Sequence, residues 1–143
     1  MASYWDVGMK VPFIADGDLS NACAQWKLVS AASTGGYVKA TDSACDGLPV
    51  GVLQNDPCAG QAAEVVILGP TKARCRYAGG CLLKNGKFLK AASDGYLEPL
   101  DSQTADFPIA RYFDADFSTT DASVVANVVF LSISSCGMQL GTS

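Results

Sequence analysis

The absence of histidine decides which chemistry this chain of 143 residues could perform. Without histidine there is no base for a Ser–His–Asp triad, no usual activator for a nucleophilic cysteine, and no imidazole ligand for zinc. No two cysteines have the Cys-x-x-Cys spacing of a zinc site, and no glycine-rich segment leads into the Gly-Lys-Ser/Thr sequence that binds phosphate. The sequence therefore predicts neither an enzyme nor a bound cofactor or metal.

Two acidic patterns resemble sites only in part. Residues 114–121 place oxygen-bearing side chains at alternate positions, as calcium loops do, but Thr119 stands where the loop needs glycine and Val125 where it needs glutamate. The Asp-Thr-Gly and Asp-Ser-Gly triplets of paired catalytic carboxylates are missing. An ordinary turn capped by Asp, Ser and Thr is the interpretation that fits residues 114–121.

The six cysteines leave two possibilities open. In a secreted chain they would form up to three disulfides, whereas in a cytosolic chain they would be small, buried and reduced apolar residues. The first residues lack the charged start and apolar segment of a secretory signal, which favours synthesis in the cytoplasm and reduced thiols. The six are Cys23, Cys45, Cys58, Cys75, Cys81 and Cys136.

Three basic residues alternate along a single segment. If residues 71–77 form a strand, Lys72, Arg74 and Arg76 lie on one face and Ala73 and Cys75 on the other. Such a strip could meet an acidic surface on a partner or a neighbouring subunit. It could equally be a solvated face whose charges discourage edge-to-edge pairing.

The segments that position these residues have sequence patterns typical of β-strands and turns. Residues 49–68 predict a strand, a turn and a second strand, and residues 108–131 repeat the pattern with a longer turn. Asn85-Gly86 and Asp94-Gly95 are typical of tight hairpin turns, and Gly69-Pro70 predicts a kink in the chain after Leu68. No stretch has helical periodicity over ten residues, so the sequence predicts a single all-β domain, a compact barrel or sandwich with a pseudo-repeated unit.

The two ends of the chain have a different character. Residues 1–12 show no clear period and predict an extended N-terminal arm, with Tyr4, Trp5, Val11 and Phe13 as apolar anchors for a partner. The alternative is a terminal strand packed against its own domain. The domain itself is placed at residues 13–134, and the Ser- and Gly-rich residues 135–143 are interpreted as a C-terminal tail.

Composition restricts the partners. A net charge of −4 and a pI near 4.5 argue against direct binding of nucleic acid or of an anionic membrane. No apolar run approaches the length of a membrane span. Hydrophobic residues make up 49% of the chain, enough to build a core without metal or disulfides.

Several segments, taken in order, resemble the capsid cement (head-decoration) proteins of tailed bacteriophages. They are PFIADGDLS, WKLVSA, LPVGVLQNDPCAGQAAEVVILGPTKARC, FLKAASDGYLEP, FPIARYFDA and ASVVANVVFL, covering residues 12–131. The order of the elements carries the resemblance: the Gly-Val-Leu-Gln-Asn-x-Pro-x-x-Gly turn, the Asp-Gly hairpin and the closing valine strand. The cysteines and the C-terminal tail depart from the family pattern.

The resemblance implies a small β-barrel or β-tulip body without catalytic residues or cofactors. It implies a homotrimer, made in the host cytoplasm, that sits on the outer capsid surface of the virion. Its role would be to bridge major capsid proteins and so stabilise the shell. The competing interpretation is an extracellular, disulfide-stapled β module that binds carbohydrate or a host surface, as part of a fibre.

Overall fold

A computed structural model describes residues 8–20, 24–41, 49–77, 82–92, 94–100, 108–117 and 123–131. These residues form nine strands and, within those ranges, no helix, which confirms the predicted all-β, barrel-like class. The strands are β1 Met9–Ala15, β2 Leu28–Ala31, β3 Tyr37–Ala40, β4 Pro49–Leu53, β5 Ala62–Arg76, β6 Phe88–Ala91, β7 Leu97–Pro99, β8 Ala110–Tyr112 and β9 Ser123–Phe130.

The strands close into two rings that share β5. In the first ring the pairing order is β1-β3-β2-β4-β5, and β5 pairs back with β1. In the second ring the order is β5-β7-β6-β8-β9, and β9 pairs back with β5. Closure leaves neither ring with a free sheet edge among these strands, which removes the usual route to edge-to-edge aggregation.

The second ring repeats the topology of the first. Each has one parallel pair, β1 with β3 and β5 with β7, and its other pairs are antiparallel. The hairpins of the predicted pseudo-repeat match in register, because Leu53 lies opposite Val65 in the first ring and Tyr112 lies opposite Val128 in the second. The predicted pseudo-repeat is therefore one part of a larger duplication, in which β5–β9 repeat the arrangement of β1–β5. Strand β5 is the last strand of the first ring and the first strand of the second.

The duplication also explains an unusual backbone conformation at Trp26. Trp26 has a φ of 70°, and the corresponding turn of the second ring places Gly86 there with a φ of 91°. In each ring this residue donates its amide to the closing hairpin, from Trp26 to the Leu53 carbonyl and from Gly86 to the Tyr112 carbonyl. Both rings therefore require a left-handed backbone conformation at this position. Only the second ring has glycine there, the residue type that adopts this conformation without strain.

Strand β5 is longer than the sequence indicates. The kink predicted at Gly69-Pro70 does not end the strand, because a single strand of 15 residues runs through it. Gly69 has a φ of 102°, and at this point the partner of β5 changes from β1, opposite Leu68, to β9, opposite Gly69. Proline is tolerated at such a ladder irregularity.

The two predicted hairpin turns have different outcomes. Asp94-Gly95 does join β6 to β7, which pair antiparallel with Ala91 opposite Leu97. The hairpin predicted at Asn85-Gly86 is wrong, because Leu83 bridges to Phe117 and not to the strand that follows the turn. Asn85-Gly86 does form a turn with a positive φ, but the segments on its two sides pair with other parts of the chain and not with each other.

Each ring has its own apolar interior. The first contains Val29, Val38, Leu53 and Val65, and Phe13 packs against them. The interior of the second is larger; it includes Leu89, Leu97, Tyr112, Val128 and Phe130, and also Leu28 and Val52 from strands of the first ring. Those last two contacts couple the two rings beyond the shared strand.

The predicted arm boundary at residue 12 does not coincide with the start of the barrel. Residues 9–12 belong to β1, which pairs with β5 along its length. The alternative of a terminal strand packed against its own domain is thus the correct one for this part of the chain. Residues 1–7 and the predicted tail at 135–143 lie outside the described residues.

Candidate interaction surface

The basic residues of β5 alternate as predicted. Ala73 and Cys75 are buried inside the second ring, while Lys72 is exposed and Arg74 and Arg76 are partly buried on its outside. The three side chains nevertheless differ in how far they are available to a partner.

Arg76 is held within the molecule. Its guanidinium donates to both carboxylate oxygens of Asp94 at 2.7 and 3.0 Å and to Glu98 Oε2 at 2.7 and 3.0 Å, and it lies 4.6 Å from the centre of the Tyr96 ring. The hydrogen bond to Asp94 raises the pKa of Arg76. Burial alone would raise the pKa of Asp94, but the hydrogen bonds and charge of Arg76 lower it. Arg76 therefore links β5 to the β6–β7 hairpin. Because its charge is already paired within the molecule, Arg76 is not available to bind a partner.

Replacing Arg76 by alanine is expected to destabilise the fold. The change removes a two-carboxylate network and leaves Asp94 and Glu98 repelling each other, so the free energy of unfolding should fall by about 1 kcal/mol. Lys72→Ala is the matched control on the same strand face, with an expected change within about 0.5 kcal/mol. Urea denaturation measures both, and equal effects would contradict the assigned difference.

Arg74 has a structural and an exposed component. Its Nε donates to the Gln25 carbonyl at 3.0 Å, and its backbone amide donates to the Trp26 carbonyl at 2.7 Å. Arg74 thus holds the strained turn of the first ring against the shared strand. Lys72, two residues earlier, is the most open of the three cations.

The strand register places these cations beside apolar residues on the outside of the second ring. Opposite residues of paired strands share a face, which defines three rows. The rows are Pro70–Val129–Arg111–Phe88, Lys72–Asn127–Phe113 and Arg74–Val125. We call these nine residues the outer face.

The outer face is apolar and cationic. Phe88 is 43% exposed and Val125 is 39% exposed, although both lie on strands whose other side is buried. The charged residues in the three rows are Lys72, Arg74 and Arg111, with no carboxylate among the nine, in a chain whose net charge is −4. A surface of this composition is suited to a partner that offers apolar side chains and carboxylates.

Arg111 forms the centre of the first row. Its guanidinium lies 4.8 Å from the centre of the Phe88 ring and 5.2 Å from that of Phe113. Its Nε and one terminal nitrogen both donate to the Gly86 carbonyl at 3.2 Å. The side chain is therefore fixed in place, and a partner that binds it need not order it first.

Sequence reasoning missed this part of the surface, although a signal was present. The residues of β9 are apolar at both parities, with Val125 and Val129 pointing outward while Ala126 and Val128 point inward. A strand of a single closed ring needs an apolar pattern on only one side. An apolar excess on the other side is typical of an interaction surface, and the cation beside it, Arg111, comes from β8 and is brought there only by the fold.

The predicted arm anchors separate into two groups. Phe13 packs against the core of the first ring, and Val11, partly buried, lies opposite Val65 in the ladder. Both contribute to the barrel, which corrects their assignment to an extended arm. Tyr4 and Trp5 lie outside the described residues.

Two cysteines are free thiols in contrasting settings. Cys58 is exposed, and its sulfur lies 3.8 Å from Ser20 Oγ. Cys75 is buried in the second ring, where loss of solvation, followed by the charge of Asp114, raises the pKa of its thiol. A framework of three disulfides needs all six cysteines. These two free thiols therefore contradict the alternative of an extracellular β module held together by three disulfides.

The two thiols should react very differently with iodoacetamide. The exposed Cys58 should be alkylated in the folded protein, whereas Cys75 should react only when the second ring unfolds, because only thiolates attack and a buried thiol stays protonated. Mass spectrometry of peptides after alkylation, with and without urea, measures both. Rapid native labelling of Cys75 would be inconsistent with a closed second ring.

No group of three or more His, Cys, Asp or Glu residues in the described ranges could hold a metal ion. No helix in that part of the chain is long and apolar enough to cross a membrane.

The chain is similar in fold to the base of a phage head fiber. No protein-family profile and no curated protein sequence matches it. Among solved structures, the N base of the head fiber gp8.5 of bacteriophage phi29 matches with a TM-score of 0.55 and 14% identity, over 85% of this chain and 92% of that one. At this identity the likeness establishes the fold, a β body of the same overall arrangement.

Proposed function

We propose that this chain is a structural protein of a phage virion, which binds the outside of the capsid and stabilises the shell by bridging major capsid proteins. The supporting observation is the likeness of nearly the whole chain to the base of a phage head fiber. The order of sequence elements points to the related class of head-decoration proteins. The absence of histidine and of recognisable nucleotide or zinc motifs supports a mechanical role without enzymatic activity.

The physical basis of such a role is multivalency. A single copy offers a modest contact area, but a homotrimer on a symmetric shell makes its second and third contacts at high effective concentration. Bridging several major capsid proteins would then resist separation of the subunits without any one strong contact. Two closed rings with a shared strand suit this task, because load on one ring passes directly into the other.

The proposed contact surface combines two groups of residues. The outer face supplies Lys72, Arg74 and Arg111 together with exposed Val125 and Phe88. Tyr4 and Trp5 remain the predicted apolar contacts from the N-terminal segment. Arg76, paired with Asp94 and Glu98, is no longer among the candidates.

Co-sedimentation with phage heads that lack this protein tests the proposal. Wild-type protein should pellet with the heads to saturation. A Lys72→Glu/Val125→Asp variant should bind at least tenfold more weakly, because it places carboxylates on the apolar and cationic face. Ile14→Asp, on an exposed position of the first ring, is the matched control and should bind normally.

The possible results separate the function from the surface. No saturable binding of wild-type protein would overturn the proposed function. Binding that is unaffected by the double variant would leave a capsid protein whose contact lies elsewhere, on residues 1–7 or on the first ring. Binding lost in the control as well would point to a global effect of added charge.

A further inference from the structure

The outer face is a sheet surface on which Phe88 and Val125 are exposed and the other apolar residues are partly buried. Its rows pair Val125 with Arg74 and both Val129 and Phe88 with Arg111, and Lys72 lies in the row between them. The apolar character continues toward the junction of the rings, where Met9 and Leu68 lie opposite each other and are 57% and 45% exposed. Contiguous exposed apolar residues of this kind normally have an occupant.

The N-terminal segment begins at the margin of this face. The Gly8 amide donates to the Pro70 carbonyl at 2.7 Å, and Pro70 belongs to the first row. Gly8 is also packed tightly against Gly69, because a Cβ on Gly8 would lie 2.8 Å from the Gly69 Cα. The chain that precedes Gly8 is thus fastened next to Pro70.

The residues just upstream of Gly8 complement the outer face in chemistry. Asp6 is two residues away and Trp5 three, and Tyr4 adds a second aromatic side chain. A carboxylate beside Lys72 and Arg74, and an indole over Val129 and the Arg111 guanidinium, would satisfy the two properties of the face together.

The distances permit this contact within one chain. Lys72 is two residues along β5 from Pro70, about 7 Å, and two extended residues carry Asp6 about 7 Å from Gly8. Arg111 lies two strands from Pro70, about 10 Å, and three extended residues carry Trp5 a similar distance, about 10 Å. Side-chain length adds further reach, so no strain is required.

We propose that residues 4–6 of the chain lie on its own outer face in the free protein, with Trp5 against Val129 and Arg111 and with Asp6 beside Lys72. The inference concerns the free protein and does not depend on the proposed function. It has one consequence for that function, since it brings Tyr4, Trp5, Lys72 and Arg74 together on a single side of the molecule. A composite of arm and face would then meet the partner.

Tryptophan fluorescence gives a direct test, because the chain has two tryptophans and Trp26→Phe leaves Trp5 alone. In this variant we expect blue-shifted Trp5 emission that acrylamide quenches weakly. Adding Val129→Asp should shift the emission to the red and increase the quenching constant several-fold. Adding Ile14→Asp in place of Val129→Asp should change neither value.

A second measurement keeps the test independent of that variant. Deleting residues 1–7 should increase the acetylation rate of Lys72 several-fold while leaving that of Lys10, which is exposed on the first ring, unchanged. Solvent-exposed Trp5 emission in the Trp26→Phe protein, or a Lys72 rate that the deletion does not alter, would overturn the inference. Trp5 burial that disappears on dilution would also overturn it, by assigning the segment to the face of a second copy.

Discussion

Replacing Phe130 by alanine is expected to lower the free energy of unfolding by about 3–5 kcal/mol, the cost of truncating a large aromatic side chain in a closed core. Phe130 is fully buried, lies opposite both Gly69 and Ala110, and closes the second ring where β5 passes from one ring to the other. Val125→Ala, on the outer side of the same strand, is the control and should change the free energy of unfolding by less than about 0.5 kcal/mol.

The same variant tests whether the two rings unfold together. Trp26 lies in the first ring and accepts a hydrogen bond from the Arg74 amide of the shared strand. With Trp5 changed to Phe, its fluorescence reports on the first ring, while circular dichroism follows the whole sheet. The Phe130→Ala change should move both urea transitions by the same amount. A fluorescence transition that stays at its wild-type midpoint would mean that the rings unfold separately.

Replacing Gly51 by alanine should be nearly as damaging, for the opposite reason. A Cβ at this position would lie 2.2 Å from the Val66 carbonyl oxygen and 2.6 Å from a methyl group of Val65, and both are fixed in the ladder of β5. Overpacking against backbone should lower the free energy of unfolding by about 3 kcal/mol. The measurement is the urea midpoint of the purified variant.

The duplication supplies the control for this prediction. In the second ring Ala110 occupies the place of Gly51, and it is fully buried without a comparable clash. Ala110→Gly should therefore cost only about 1 kcal/mol, from backbone entropy and a lost methyl group. Wild-type stability of Gly51→Ala would show that β4 and β5 are not packed as closely as described.

The sequence was sufficient to predict the fold class because the relevant signals are local. Alternating apolar residues, Asp94-Gly95 and the repeated valine segments each act over a few positions, and each predicted the correct kind of element. The extent of the duplication was not predictable in this way. Its clearest mark, Trp26 in the place of Gly86, depends on backbone conformation and not on residue similarity.

The interaction surface could be predicted only in part. The period of two placed Lys72, Arg74 and Arg76 correctly on one face of β5. It could not show that Arg76 would form ion pairs with Asp94 and Glu98, which lie on a hairpin about 20 residues later in the chain. Nor could it place Arg111 beside Val129, because that contact arises from the pairing of β8 with β9.

A cryo-electron microscopy reconstruction of the complete phage particle tests the proposed function most directly. The proposed function predicts density for the double ring on the outer surface of the shell, with each oligomer touching more than one major capsid protein and the outer face turned toward the contact. Density that is confined to the tail or the interior of the head, or its absence from purified particles, would contradict it.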